Sequence, residues 1–366
     1  MAPDDVAHMH AALALARRGL GNTWPNPAVG CVVIKDGRVI GRAVTAPGGR
    51  PHAEAIALQA AGAAARGATA YVTLEPCCHW GRTPPCTDAL IGAGISRVVI
   101  GTRDPDPRVQ GRGVARLRAA GIPLEEDVLM AEAREVLAGF SQRVQTGRPL
   151  VTLKLASTLD GRIATREGKS RWITGLAARR TAHALRGRHD AVLVGVGTVL
   201  MDDPDLSCRL PGFRPTPVVR IVADSHLRTP PTARLAVTAA QAPTWILHRP
   251  GADPGRRQAF REASVRLFEI SSAEIGIDLE AALTALGTAG ITRLLVEGGA
   301  QFAAALLRTG LVDRLAWFHA PSVMGGDGWA GVQALGIDRL DEIPRFIRHR
   351  VTQVGEDILT ELVRQG

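Results

Sequence analysis

Apolar and polar residues alternate with a helical period in some segments of the chain and with a strand period in others. Residues 4–19 place apolar side chains at helical spacing and predict an amphipathic helix. Residues 31–44, CVVIKDGRVIGRAV, predict two short strands, because the Asp36-Gly37 pair between them is typical of a hairpin turn. An Ala-rich helix is predicted over 52–67 and a buried strand over 68–76. This part of the chain therefore predicts a layered domain rich in βαβ units.

A second alternation begins after residues 145–150, QTGRPL, which follow a helix predicted over 127–141. The helices predicted beyond it are 175–188, 278–289 and 300–309, and the strands are 151–158, 191–197, 217–225, 243–248, 265–270 and 293–299. Two further strand-like stretches are 313–326 and 349–363. We find no internal repeat, and 366 residues suit two domains of ordinary size. The sequence thus predicts two different domains, residues 1–146 and 147–366.

Composition narrows the class of protein. Hydrophobic residues make up 46% and charged residues 22%, which is typical of a soluble globular chain. No apolar run reaches the ~20 residues of a membrane span, and acids stand where a signal peptide carries bases, so we expect a cytoplasmic protein. The net charge of +9 invites a nucleic-acid partner, but the bases are scattered and only three are lysine. We therefore expect neither membrane nor nucleic acid as a partner, and a phosphorylated small substrate suits the same positive field.

Three of the five cysteines fall within residues 77–86, which favours a metal site over a disulfide framework. The tripeptide HAE at 52–54 precedes Cys77 and, after eight further residues, Cys86. Nucleobase deaminases share the signature H-x-E…P-C-x-x-C, with a shorter spacing between the cysteines. His52, Cys77 and Cys86 would fill three corners of a tetrahedral zinc and leave the fourth for water. Glu54 would transfer protons and would not bind the metal.

Each part of this pattern has an ordinary explanation when it is taken alone. An HAE tripeptide is most often a plain helix start, and a lone buried cysteine is usually a small hydrophobic residue. Their order along the chain, with a predicted strand before the cysteines, favours zinc. Cys78 adjoins Cys77, but neighbouring side chains in an extended segment point in different directions. We therefore expect Cys77 to bind the metal and Cys78 to point elsewhere.

The signals of the second half are weaker. Residues 296–299, VEGG, end a predicted strand just before a helix that begins near Ala300, an arrangement in which backbone N–H groups hold phosphate. The G-x-G-x-x-G fingerprint is absent, so a simple tight turn is the commoner explanation. Lys154 lies in an apolar strand, where an unpaired ammonium is costly, although a strand-end lysine can also face solvent. The acidic stretch 202–205 is, by itself, most often a solvated turn.

Several longer motifs carry a resemblance to one family. In the first half they are PNPAVG, GRPHAE, EPC-x8-C and DPDPRVQGRG, and in the second TLKLASTLDGRIAT, SRWITG, GVGTVLMDDPDLSCR and LLVEGGAQF. Along essentially its full length, the chain resembles the bacterial bifunctional deaminase/reductases of riboflavin biosynthesis. The resemblance implies an α/β fold with an N-terminal cytidine-deaminase-like three-layer α/β/α domain and a C-terminal dihydrofolate-reductase-like domain. Two departures are Cys78, where the family usually has serine, and Asp106, which turns its usual DPNP into DPDP.

Zn²⁺ and NADPH are the cofactors that this resemblance implies. The implied catalytic residues are Glu54, Lys154 and Asp202, and the implied zinc ligands are His52, Cys77 and Cys86. The residues implied to meet NADPH are Ala156, Trp172, Thr198, Asp202, Gly298, Gly299, Ala300 and Gln301. Those implied to meet substrate are Asn26, His79, Arg82, Ser170, Arg186, Leu206, Arg209 and Glu297.

The resemblance also implies a reaction in two steps. The first removes the 2-amino group of 2,5-diamino-6-(5-phosphoribosylamino)pyrimidin-4-one 5′-phosphate, and the second reduces the ribosyl side chain to ribityl with NADPH. Two other classes stay open. An RNA-editing deaminase with an appended RNA-binding domain would use the arginine excess, but basic runs and interleaved aromatic residues are missing from the sequence. A zinc-stabilised scaffold would need four protein ligands and no placed glutamate. The oligomeric state is left open, with a homo-oligomer among the alternatives.

Overall fold

The computed structural model describes residues 3–81 and 84–365. Its contacts divide the chain into two compact units, one that ends at Gly147 and one that begins at Arg148. Gly147 caps the C-terminal end of a helix with a left-handed φ of 77°, a conformation that glycine adopts without strain. Among the described residues, no helix is both long and apolar enough to cross a bilayer.

Unit 1 builds one mixed sheet with helices around it. The helices are α1 (Pro3–Gly19), α2 (Ala53–Ala61), α3 (Cys86–Gly92), α4 (Arg112–Ala119) and α5 (Met130–Thr146). The strands are β1 (Gly30–Lys35), β2 (Arg38–Val44), β3 (Thr69–Val72), β4 (Arg97–Ile100) and β5 (Leu124–Glu125). The sheet order is β2-β1-β3-β4-β5, in which β1 is antiparallel to both of its neighbours and β3, β4 and β5 are parallel.

Side chains of β1 alternate between the two faces of this sheet. Cys31 and Val33 join a buried cluster with α2, α3 and α4, whereas Val32 and Ile34 join a second cluster with α1 and α5. Helices therefore cover both faces, and the unit is a three-layer α/β/α sandwich. The predicted hairpin forms at Asp36-Gly37, where both residues have the positive φ that a two-residue turn requires.

The two elements next to the cysteine motif end differently from the prediction. The helix predicted over 52–67 begins at Ala53, because His52 has extended backbone and is the N-cap residue. The strand predicted over 68–76 ends at Val72. The residues that follow Val72 leave the sheet, so that the segment up to the cysteines forms a loop at the carboxyl end of β3.

Unit 2 also has a central sheet with helices. Its helices are α6 (Leu176–Gly187), α7 (Val196–Asp202), α8 (Arg234–Val237), α9 (Pro254–Glu262), α10 (Leu279–Thr288) and α11 (Ala300–Arg308). Its strands are β6 (Leu150–Ser157), β7 (Arg162–Ala164), β8 (Ala191–Gly195), β9 (Val219–Ala223), β10 (Thr244–His248), β11 (Arg266–Glu269), β12 (Arg293–Glu297), β13 (Arg314–His319), β14 (Trp329–Ala330), β15 (Phe346–Val354) and β16 (Asp357–Arg364).

The large sheet of unit 2 has the order β11-β10-β9-β8-β12-β6-β13-β16-β15. The strands from β11 to β13 are parallel. Strand β16 is antiparallel to β13, and the edge strand β15 is antiparallel to β16. Strands β10 and β12 are buried along their whole length, which explains the three consecutive apolar residues at the centre of each, 245–247 and 294–296. The carboxyl ends of parallel β6, β8 and β12 meet at one edge of the sheet, where α/β proteins commonly bind ligands.

Three helices of unit 2, namely α7, α8 and α9, are absent from the sequence prediction. Helix α7 has the β-branched, glycine-containing sequence of a strand or turn, but Val196 and Val199 pack into the core of unit 2, and this packing overrides local preference. Helix α9 is almost entirely polar and contributes one fully buried side chain, Phe260. The strand-like stretch predicted over 313–326 is a strand only within β13.

Candidate active sites

The side chains of His52, Cys77 and Cys86 meet in unit 1. His52 precedes α2, Cys77 lies in the loop after β3, and Cys86 begins α3. The Nδ1 atom of His52 lies 3.3 Å from Sγ of Cys86 and 3.6 Å from Sγ of Cys77, and the three atoms lie within 4.8 Å of one another. Bonds of about 2.1–2.3 Å at tetrahedral angles separate ligand atoms by roughly 3.5–3.8 Å, so this donor set fits zinc.

The two thiols differ in protonation. A hydrogen bond from the Cys86 side chain, together with one from His52, lowers the pKa of Cys77 in spite of its burial. The same contact with Cys77 and burial raise the pKa of Cys86. The backbone N–H of Cys86 also donates to Sγ of Cys77 over 3.3 Å. Cys77 thus already favours the thiolate form, which is the form that binds metal.

Cys78 lies apart from this group. Its Sγ is 3.8 Å from the backbone carbonyl oxygen of Arg108, and burial raises its pKa. The side chains of Cys77 and Cys78 therefore point to different surroundings, and the structure brings only Cys77 to the other two ligands.

Glu54 lies in the first turn of α2, two residues after His52, and only 4% of its surface is exposed. Burial raises its pKa, and the charge of Cys77 adds to this effect. A carboxyl group whose pKa is raised toward neutrality can both accept and return a proton. The position and the environment of Glu54 suit an acid–base group beside the metal.

A cavity of about 530 Å³ opens beside the metal group. The predicted substrate residues Asn26 and His79 line it, while Arg82 lies outside the described residues. The Asn26 side-chain amide donates to the carbonyl oxygen of Gly49 over 2.8 Å. Nδ1 of His79 is buried and has no hydrogen-bond partner among the described residues. Since a buried polar atom without a partner is costly, this nitrogen is suited to bind a ligand.

Six charged residues that line the same cavity were not among the predicted site residues: Arg50, Glu75, Asp104, Asp106, Arg108 and Arg143. Arg108 binds both carboxylate oxygens of Asp106, with Nη2 2.5 Å from Oδ2, and this bond lowers the pKa of Asp106. Burial raises the pKa of Asp104 to about 7. The motif DPDPRVQGRG contains three of these residues, whereas Arg143 lies in a helix without any motif.

Glu75 holds the loop that carries Asp104 against the cysteine loop. Its carboxylate accepts the backbone N–H groups of Asp104, Gly111 and Val114 at 3.0–3.2 Å. Two of these groups belong to the N-terminal end of α4, where a negative charge is stabilised by the helix dipole. A single buried carboxylate thus links the wall of the cavity to the residues next to Cys77.

In unit 2, three predicted residues form a buried charge cluster. Lys154 on β6 and Glu297 on β12 are paired across the two strands. Arg186 of α6 donates to both oxygens of Glu297 over 2.6 and 2.8 Å. Burial alone would raise the pKa of Glu297, but Arg186 and Lys154 outweigh it and lower the pKa to about 2. Burial lowers the pKa of Lys154, and the charge of Glu297 opposes this effect, so the Glu297 carboxylate stabilises the charged forms of both Lys154 and Arg186.

A cavity of about 530 Å³ adjoins this cluster, and the predicted residues that line it are Ser170, Trp172, Arg186, Asp202, Leu206 and Arg209. Asp202, at the end of α7, accepts a hydrogen bond from Arg171 over 3.2 Å. The Arg179 guanidinium lies 4.2 Å from the centre of the Trp172 ring, which is 69% exposed. Neither arginine was predicted.

The glycine turn after β12 lies next to α7. Gly298 and Gly299 have φ values of 75° and 80°, and a β-carbon on Gly298 would stand 3.2 Å from Oγ1 of Thr198. Helix α11 begins at the next residue, Ala300, with Gln301 exposed in its first turn. Free N–H groups at a helix start after a glycine turn can hold a phosphate, so this turn fits a dinucleotide. Ala156 lies further along β6 and packs against the apolar cluster that contains Phe318.

Two family profiles match the chain. The profile described as the cytidine and deoxycytidylate deaminase zinc-binding region matches residues 3–102, and that of the RibD C-terminal domain matches residues 149–360. They confirm the predicted fold class, with a cytidine-deaminase-like domain followed by a dihydrofolate-reductase-like one.

Relatives match along nearly the whole chain. The riboflavin biosynthesis protein RibD of Aquifex aeolicus is 42% identical over 97% of both chains, and that of Escherichia coli is 41% identical over 98% of this chain and 99% of its own. A solved structure of Acinetobacter baumannii RibD has a TM-score of 0.89 at 37% identity and 99% coverage of both chains. The diaminohydroxyphosphoribosylaminopyrimidine deaminase/5-amino-6-(5-phosphoribosylamino)uracil reductase of Thermotoga maritima has a TM-score of 0.83 at 35% identity and the same coverage.

Proposed function

Because the chain belongs to the RibD family of bifunctional riboflavin-biosynthesis enzymes, we propose that unit 1 carries its deaminase site and unit 2 its reductase site. The substrate of the first is 2,5-diamino-6-(5-phosphoribosylamino)pyrimidin-4-one 5′-phosphate, which loses its 2-amino group. The second reduces the ribosyl group of the resulting uracil to ribityl. The observation that carries the proposal is the grouping of His52, Cys77 and Cys86 beside buried Glu54.

In the deaminase site, the zinc ligands are His52, Cys77 and Cys86. Zinc, when bound there, supplies Lewis-acid activation of the attacking water. Glu54 accepts the two protons of that water in succession, passing the first to the pyrimidine ring and the second to the amino group that leaves as ammonia, which its raised pKa supports. Asn26 and His79 orient the pyrimidine from the cavity wall.

The phosphate of the substrate needs cations. Arg50 and Arg143 line the same cavity as the zinc ligands, and guanidinium groups bind phosphate through paired hydrogen bonds. We assign them to the phosphate end of the substrate together with Arg82. The cavity of about 530 Å³ suits one small molecule, and we therefore propose phosphorylated pyrimidines, and not nucleic acid, as the ligands.

In the reductase site, the Gly298-Gly299 turn and the start of α11 hold the NADPH phosphates, and Thr198, Trp172 and Asp202 border them. NADPH supplies the hydride when it is bound. Ser170, Leu206 and Arg209 contact the substrate, and the Lys154–Glu297–Arg186 cluster fixes the sugar phosphate beside the cofactor, so that the reacting groups are held face to face.

A cytoplasmic location is part of the same proposal. The five cysteines are all without a disulfide, and three of them lie in one loop region, as suits a reducing compartment.

The test follows ammonia release and NADPH oxidation separately in the purified chain. Wild-type enzyme with the diaminopyrimidine phosphate should release ammonia without NADPH and should consume NADPH only after deamination. Glu54→Gln keeps the shape of the side chain but cannot shuttle protons, so ammonia release should fall by ~10²-fold or more. The same variant should still oxidise NADPH with the deaminated substrate. Loss of both signals in folded Glu54→Gln, each on its own substrate, would contradict two separate sites.

A further inference from the structure

His183 contacts the loop that carries two of the proposed substrate residues of the reductase site. It lies on α6 one turn before Arg186, so both side chains point to the same side of the helix. Nδ1 of His183 and Nη1 of Arg186 each lie 3.1 Å from the backbone carbonyl oxygen of Ser207. Ser207 stands between Leu206 and Arg209, and the two contacts hold this loop to α6.

A further contact determines the tautomer of the ring. Nε of Arg209 lies 3.2 Å from Nε2 of His183. A guanidinium can only donate hydrogen bonds, so Nε2 must be the unprotonated nitrogen. The proton of neutral His183 is then on Nδ1, from which it donates to the carbonyl of Ser207. This tautomer satisfies both contacts, whereas the other one would satisfy only the backbone N–H of Arg209, which lies 3.2 Å from Nδ1.

The surroundings also favour the neutral ring. Burial, the largest cause, and the positive charges of Arg186 and Arg209 lower the pKa of His183. A neutral imidazole accepts from the Arg209 guanidinium without repelling it. His183 thereby restricts the conformations of the long, exposed Arg209 side chain before a ligand is bound. Arg209 then loses less conformational entropy when it binds a ligand.

We propose that His183 is a positioning residue of the reductase: it holds the Arg209 guanidinium in the orientation in which Arg209 binds an anionic group of the substrate. The inference rests on the reductase function proposed above. His183 itself does not line the cavity, and it acts through Arg209.

Two variants of similar size separate this role from simple packing. The longer side chain in His183→Gln can place an accepting oxygen near the position of Nε2, beside Arg209. The shorter one in His183→Asn reaches only the region of Nδ1 and Ser207. His226→Asn, at an exposed position of the same unit, controls for the loss of a histidine.

The assay measures NADPH oxidation by the full-length chain while the deaminated aminouracil phosphate is varied at saturating NADPH. His183→Asn should raise KM about 3- to 10-fold, the effect of one lost hydrogen bond, with kcat changed less than about twofold because the hydride-transfer groups stay in place. His183→Gln should recover most of the wild-type KM, and His226→Asn should equal the wild type. In an Arg209→Ala background, His183→Asn should have no further effect.

The proposal would be overturned if His183→Gln and His183→Asn had equal KM values. It would also be overturned if His183→Asn raised KM in the Arg209→Ala background by the same factor as in the wild-type background. Nitrogen-15 NMR of the histidine ring gives a readout without turnover: the free enzyme should carry the proton of His183 on Nδ1, and a proton on Nε2 would also overturn it. Absence of NADPH oxidation in the wild type would contradict the proposed function. If the wild type turns over normally but the KM of His183→Asn is not higher than that of His183→Gln, only the role of His183 is contradicted.

Discussion

Replacing Glu297 with glutamine removes the only negative charge from its cluster with Lys154 and Arg186. In the native protein Glu297 accepts two hydrogen bonds from Arg186, of 2.6 and 2.8 Å, and the side chains of this pair are 11% and 17% exposed. In Glu297→Gln two cations remain together in a buried place and lose the carboxylate that Arg186 binds, although the charge of Asp205 still stabilises Arg186. In Arg186→Gln, by contrast, the charge of Lys154 still stabilises the Glu297 carboxylate.

The expected magnitudes follow from this asymmetry. Two opposite unit charges about 4 Å apart attract by about 4 kcal/mol at an effective dielectric constant of 20. Breaking a buried pair and leaving a charge uncompensated costs about 3–5 kcal/mol, which we expect for the free energy of unfolding of unit 2 in Glu297→Gln. Arg186→Gln loses hydrogen bonds but leaves a neutral Lys154–Glu297 pair, so we expect about 1–3 kcal/mol.

The measurement is urea unfolding of the full-length variants at pH 7 in a background in which Trp24 and Trp80 of unit 1 are replaced by phenylalanine, so that the tryptophan fluorescence reports on unit 2. Arg339→Gln breaks an exposed ion pair of the same unit and should leave the unfolding midpoint unchanged. If Arg186→Gln lowers the stability of unit 2 as much as Glu297→Gln does, Lys154 is not a counterion and the description of the cluster is wrong.

Four other substitutions have expected outcomes. Cys77→Ser should remove zinc and deaminase activity, whereas Cys78→Ser should retain one zinc per chain in elemental analysis; the reverse would exchange their roles. Gly298→Ala puts a β-carbon on a left-handed residue 3.2 Å from Thr198, so NADPH affinity should fall at least several-fold in a fluorescence titration. His189 is buried, and burial lowers its pKa from the ordinary value of 6.5 to about 3. As the pH falls below 6.5, His189 is therefore protonated in the unfolded chain before it is protonated in the folded one. This residue should make unit 2 lose stability toward pH 3 by up to about 1.4 kcal/mol per pH unit, and His189→Gln should flatten that slope in unfolding experiments.

The residues next to rigid elements were predictable from the sequence. His52 and Cys86 stand at the starts of helices, and Cys77 stands after a strand. Apolar periodicity gives the positions of such ends to within a few residues, and the parallel strands bring them to one edge. The motif order therefore indicated which side chains would meet, before any distance was known.

The remaining site residues depend on loop conformation, which leaves no periodic signal. Arg108 turns back onto Asp106 within one loop, and Glu75 reaches three backbone groups far along the chain. His183 lies on a helix with an unremarkable sequence, and its importance follows only from its contact with Arg209. Long-range packing decides these contacts, and a single sequence does not record it.

The loop between the two cysteines is closed at its base by bonds that do not involve the residues inside it. The backbone N–H of Cys86 donates to Sγ of Cys77, and the N–H and the hydroxyl of Thr87 both donate to the carbonyl oxygen of Cys77, over 3.1 and 3.3 Å. Loop closure costs little more when a loop grows by a few residues. We therefore expect that a different loop can be grafted between Cys77 and Cys86 to change this part of the substrate contact surface, while both cysteines keep the same metal.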